Sequence, residues 1–79
     1  MDEREQEIRK LVYEVLEIPE VEDINETEEL QKLGLDSLNC IELIVRLETA
    51  FHMEVPDDRL GLEYVDTMEH ICELVEDCL

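Results

Sequence analysis

The chain has 79 residues, enough for one small domain close to the lower limit at which a single hydrophobic core suffices. It carries 24 Asp and Glu against 6 Lys and Arg, a formal charge of −18 at pH 7. Such a surface has no basic footprint for nucleic acid, is repelled by anionic membranes, and speeds encounter with basic partners instead. Leu, Ile, Val and Phe supply 26 residues, about a third of the chain. That is well above the ~20% below which acidic chains stay disordered. Two Gly, two Pro, one Phe, two Tyr and no Trp leave too few turn and aromatic residues for an all-β sandwich, while aliphatic residues and Glu favour helices.

Ile8, Leu11, Val12, Val15 and Leu16 recur at helical spacing and predict a first helix over about 2–17. Asp2, Glu3, Glu5 and Glu7 sit in its opening turns, where the helix dipole favours negative charge, and Pro19 ends it. Residues 18–36 read as a long acidic loop held to the core by Val21, Ile24, Leu30 and Leu33, with one helical turn near 27–32 as the alternative. A central helix is expected over about 37–52. There Asn39, Glu42, Arg46 and Thr49 form one narrow polar stripe on an otherwise buried surface, and Glu42 and Arg46 make an i,i+4 ion pair. Val55-Pro56-Asp57-Asp58 breaks the chain and opens a short helix over about 57–62. Asp66, with Glu69 three residues on, caps a last helix over about 67–78, whose core stripe is Met68, Ile71, Cys72, Val75 and Leu79. The fold class expected is all-α: one domain over 1–79, a small bundle of three main helices and one short one.

Several chemistries are excluded. Gly34 and Gly61 are the only glycines, so there is no Gly-rich phosphate loop, and no window has the ligand spacing of an EF-hand. Cys40, Cys72 and Cys78 lack zinc-ligand spacing, and Cys40 and Cys72 read as small buried hydrophobes. His52 and His70 fit no helical metal pair; His52 falls at the end of the central helix, where a cation suits the dipole. No metal site and no catalytic residues are expected. No apolar run reaches the ~18 residues of a membrane span and no signal-peptide pattern opens the chain, so a cytoplasmic location is expected.

One residue stands apart. Ser37 is the only serine, in Leu33-Gly34-Leu35-Asp36-Ser37-Leu38, where the long loop meets the central helix. An N-cap role is open to it, but Asp36 caps equally well and would leave the Ser37 hydroxyl free. There is no G-x-S-x-G elbow, no Lys three residues beyond it, and no other activating base nearby. A serine at a helix N-terminus without a base is a residue acted upon, and that end of a helix favours an attached phosphate.

Leu33 to Leu38, followed by Ile41-Glu42-Leu43, Leu47-Glu48 and Phe51, then Val55-Pro56 and Asp66-Thr67, resembles the acyl carrier protein family over essentially the whole chain. The resemblance implies that Ser37 carries 4′-phosphopantetheine, added from coenzyme A by a phosphopantetheinyl transferase, with Asp36 and Leu38 flanking it. It implies a carrier that does no chemistry itself, a monomer holding acyl groups as thioesters for fatty-acid or polyketide-type synthases and acyl-transferring enzymes with basic docking patches. The second helix would be the recognition element, through Asn39, Glu42, Arg46 and Glu48. The apolar surface of that helix, with Ile41, Ile44 and Leu47, is consistent with sheltering an acyl chain, and ordinary core packing explains the same residues. Asn39, Arg46 and Thr49 depart from the acidic or small residues common there. A peptidyl or aminoacyl carrier is the alternative, and an acidic helical adaptor without a prosthetic group is the alternative of a different class.

Overall fold

The computed structural model describes residues 3–19 and 24–79. Asp2, Val21 and the charges at Glu20, Glu22 and Asp23 lie outside the described residues. Three helices form the body: α1 (Glu3–Leu16), α2 (Asn39–Phe51) and α3 (Met68–Cys78). Short 3-10 turns join them at Leu30–Leu33, Asp57–Arg59 and Leu62–Tyr64. Among the described residues no helix is long and apolar enough to cross a membrane.

The core is built from one stripe of each helix. Ile8, Leu11, Val12, Val15 and Leu16 of α1 meet Cys40, Leu43, Ile44 and Leu47 of α2 and Met68, Ile71, Leu74 and Val75 of α3. Each large aliphatic side chain removed from water contributes about 1.5–3 kcal/mol, and among the described residues none that is polar or charged is buried to offset that gain. The connecting segments add Ile24, Leu30, Leu35, Met53, Val55 and Val65 to the same core. Cys72 is half-buried at its edge, not inside it.

Both ends of the α1–α2 pair use backbone chemistry that composition does not reveal. α1 stops at Leu16, before Pro19 acts, because Glu17 turns left-handed at φ 56°. Ile18 N–H then donates to Tyr13 O at 3.2 Å and Glu17 N–H to Glu14 O at 3.3 Å. His52 does the same for α2 at φ 52°, with Met53 N–H donating to Glu48 O at 3.1 Å. Neither position is glycine, so each left-handed residue stores about 1–2 kcal/mol of strain.

The loop between α1 and α2 is tied at several points. Arg9 Nη1 donates to Ile24 O at 2.8 Å, Leu30 N–H to Asp66 O at 2.8 Å, and Glu69 N–H to Glu26 O at 3.0 Å. The helical turn anticipated as an alternative near 27–32 is present as the 3-10 turn at Leu30–Leu33. The expected short helix over 57–62 is instead two 3-10 turns, since Gly61 is extended (φ −87°, ψ 160°) between them. The cap of α3 is Thr67, whose hydroxyl accepts from His70 N–H at 3.1 Å, and not Asp66. Asp66 is drawn off by the His70 ring, which its carboxylate contacts at Nδ1.

Candidate functional site

The loop-to-helix junction at 34–40 is ordered by backbone and side-chain hydrogen bonds. Gly34 ends the preceding 3-10 turn at φ 114°, a conformation that favours glycine, and Leu35 N–H donates to Leu30 O at 3.1 Å. Asp36 then serves as the physical cap. Its Oδ1 accepts from Leu38 N–H at 2.9 Å and Asn39 N–H at 2.8 Å, and its carbonyl accepts from Cys40 N–H at 3.0 Å. Asn39 reciprocates, its Oδ1 accepting from Asp36 N–H at 2.7 Å, which completes a capping box with Asn in the Glu/Gln place. Its amide Nδ2 also donates to Gly34 O at 2.8 Å.

Ser37 falls inside this frame without belonging to it. The residue is exposed, its hydroxyl takes no part in the cap, and α2 begins two residues on, at Asn39. Leu38 beside it is 83% exposed. The hydroxyl therefore faces solvent at the positive end of α2, with the capping work done by its neighbours.

One turn into the helix lies Cys40, 2% exposed, with its thiol at 3.4 Å from Ser37 O. Burial raises its pKa above the ordinary thiol value, and the Asp36 carboxylate raises it further. The raised pKa favours the protonated thiol, which is the less nucleophilic form.

The residues expected to form a docking stripe divide into different roles. Glu42 is exposed and pairs with Arg46 at 3.2 Å, while Arg46 also reaches Glu14 of α1 at 3.1 Å. Arg46 thus neutralises acids on two helices. Glu48 is half-buried, and its Oε2 accepts from Val55 N–H at 2.9 Å, tying down the chain after α2. Thr49 turns inward to its own helix, donating to Val45 O at 3.1 Å.

The three candidate acyl-pocket residues do not share a side. Ile44 and Leu47 are fully buried in the core, whereas Ile41 is 42% exposed. The surface clefts along Gln6–Tyr13 of α1 and between Arg59 and Glu73 include neither Ser37 nor these three. The helix is also not buried all round apart from its polar stripe. Leu38, Ile41 and Val45, at helical spacing, form an apolar line open to solvent beside Ser37. Sequence reasoning missed this line. The signal was present in the 100° step per residue, which puts 40, 43, 44 and 47 on one side and 38, 41 and 45 on another.

A second polar group lies at the start of α3. The hydrogen bond that the His70 ring makes to the Asp66 carboxylate raises the His70 pKa above the ordinary imidazole value, and the nearby acids Glu73 and Glu69 act in the same direction. Arg59 stacks over the Tyr64 ring at 5.3 Å from its centroid and pairs with Asp77 at 3.2 Å. Among the described residues no group of three or more His, Cys, Asp or Glu is placed to hold a metal ion. Compared with known protein families, the chain matches the family described as "Phosphopantetheine attachment site" over residues 6–75.

Proposed function

This chain belongs to the phosphopantetheine-attachment family of carrier proteins, which are not catalysts and hold 4′-phosphopantetheine covalently, and we propose that Ser37 is the residue to which the group is joined. The observation that carries this reading is the exposed, unengaged Ser37 hydroxyl at the N-terminus of α2, with Asp36 already capping the helix. The surroundings fit the group: an anionic diester next to Ser37 meets the positive helix end, and the open face at Leu38 leaves room for an arm to depart. When attached, the arm supplies a terminal thiol that holds cargo as a thioester. The chain's own part is to present that arm and to keep the Cys40 thiol out of reach.

The cargo we infer is an acyl chain of fatty-acid or polyketide type, and the partners are a phosphopantetheinyl transferase and the enzymes that load and use that chain. The charge of −18 favours this over a peptidyl or aminoacyl carrier, since it selects basic partner surfaces. Docking falls to α2. Glu42, the apolar line Leu38–Ile41–Val45 and the Arg46 that tempers the charge all flank the point where the arm leaves. A monomer is the working form, because like charge opposes self-association.

Intact mass after incubation with a transferase and coenzyme A tests the attachment. Wild type should gain one phosphopantetheine and Ser37→Ala none. Equal gain in both, or none in wild type with several transferases, overturns Ser37. Loading of the modified chain then separates the cargo classes: an acyltransferase should charge it, and charging only by an aminoacyl-activating enzyme would refute the acyl assignment.

A further inference from the structure

We propose that Asn39 is a positioning residue for the modification of Ser37: its side-chain amide clamps the Gly34–Asp36 turn so that the Ser37 hydroxyl is offered in one place. The inference rests on Ser37 as the attachment point. In the transfer, Ser37 Oγ gives its proton to a base of the transferase and bonds to the phosphorus bearing the pantetheine. The phosphoanhydride bond of coenzyme A breaks, and adenosine bisphosphate leaves. The carrier contributes no group to that chemistry, so its influence on the rate is the placement of Oγ.

Placement is where Asn39 acts. Ser37 itself has no side-chain bond that fixes it; the residues on either side are what hold it. Asn39 Oδ1 accepts from Asp36 N–H at 2.7 Å, immediately before Ser37. Asn39 Nδ2 donates to Gly34 O at 2.8 Å, at the left-handed residue where the turn is most free to swing. The return bond, Asn39 N–H to Asp36 Oδ1 at 2.8 Å, closes the loop around the serine. Only a side chain with both an acceptor and a donor one carbon from Cβ makes the first two contacts together. An aspartate keeps the bond to Asp36 N–H, loses the one to Gly34 O, and sets a second carboxylate beside that of Asp36. An alanine loses both.

Because the bonds are solvent-exposed, water replaces them in the folded protein and the loss shows in order more than in stability. Intact-mass time courses with a transferase and coenzyme A, over a range of carrier concentrations, measure the effect on Asn39→Asp, Asn39→Ala and Ser37→Ala. Both Asn39 variants should keep wild-type helical circular dichroism and a KM within about twofold, while kcat falls about tenfold. Amide exchange at Asp36 should quicken in Asn39→Ala and stay slow in Asn39→Asp, which isolates the Gly34 contact as the source of any loss in the aspartate variant. A raised KM with unchanged kcat would make Asn39 a docking contact and overturn the clamp, as would an Asn39→Asp carrier modified at the wild-type rate. Failure of the attachment reading looks different: wild type then gains no mass at Ser37, and the positioning role falls with it.

Discussion

Replacing Asp36 by alanine removes two acceptor contacts at once, those from Leu38 N–H at 2.9 Å and Asn39 N–H at 2.8 Å. Loss of an N-cap costs about 1 kcal/mol, within a range of roughly 0.5–2. Loss of a negative charge at the positive end of α2 adds about 0.3–1 kcal/mol at an exposed site. Against this, removing one charge from a chain at −18 relieves some self-repulsion, which holds the sum near the lower part of the range, at about 1–1.5 kcal/mol. For a domain of this size each kcal/mol corresponds to about 4–8 °C in Tm, so Asp36→Ala should melt roughly 4–12 °C lower. Asp36→Asn keeps the carbonyl acceptor and gives up only the charge, so it should lose about 0.5 kcal/mol or less. Thermal and urea unfolding followed by helical circular dichroism measure both variants. If the alanine variant unfolds within 1 °C of wild type, or if asparagine is as damaging as alanine, the capping box does not hold the start of α2.

Three further outcomes are expected. Leu47→Ala, at a position with no exposed surface, should cost about 2–5 kcal/mol, a large part of the roughly 4–12 kcal/mol expected for a domain of this length, whereas Ile41→Ala should cost about 1 kcal/mol or less; urea midpoints compare them. His52→Gly relieves the left-handed strain at φ 52° and should raise the urea midpoint by an amount worth about 0.5–1 kcal/mol. The raised His70 pKa, set first by its bond to Asp66 and then by Glu73 and Glu69, gives stability that is complete below the unfolded imidazole value of ~6.5 and lost as pH rises through the folded value; stability across that window should fall with pH in wild type and fall less in His70→Gln.

The electrostatics of α2 are milder than the net charge implies. Arg46 occupies Glu42 and Glu14, Glu48 turns toward Val55, and Asp36 is spent on the cap. Of the acids along the helix, Glu42 presents the most open carboxylate beside the apolar line. If α2 is the docking face proposed above, recognition would combine a diffuse attraction from the whole chain with a local contact that is largely apolar.

Hydrophobic periodicity alone determined the three helices, because each buries a stripe repeating every three to four residues, and Ile8 to Leu16 or Met68 to Val75 has no other way to leave water. The candidate attachment residue was legible for a related reason: a lone serine after Asp36, with no base near it, has few chemical roles. Ends of elements were less legible, since Glu17 and His52 take left-handed backbone that glycine normally supplies, and nothing local marks them. Gly61 divided the expected short helix into two 3-10 turns by taking an extended backbone between them. The division of labour within α2 belonged to the tertiary structure entirely. Which apolar side faces α1 and α3, and so leaves Leu38, Ile41 and Val45 outside, depends on how the helices dock. Whether Glu48 and Arg46 serve a partner or the fold depends on Val55, seven residues on across the turn after α2, and on Glu14, 32 residues away on α1; both contacts exist only once the chain has folded.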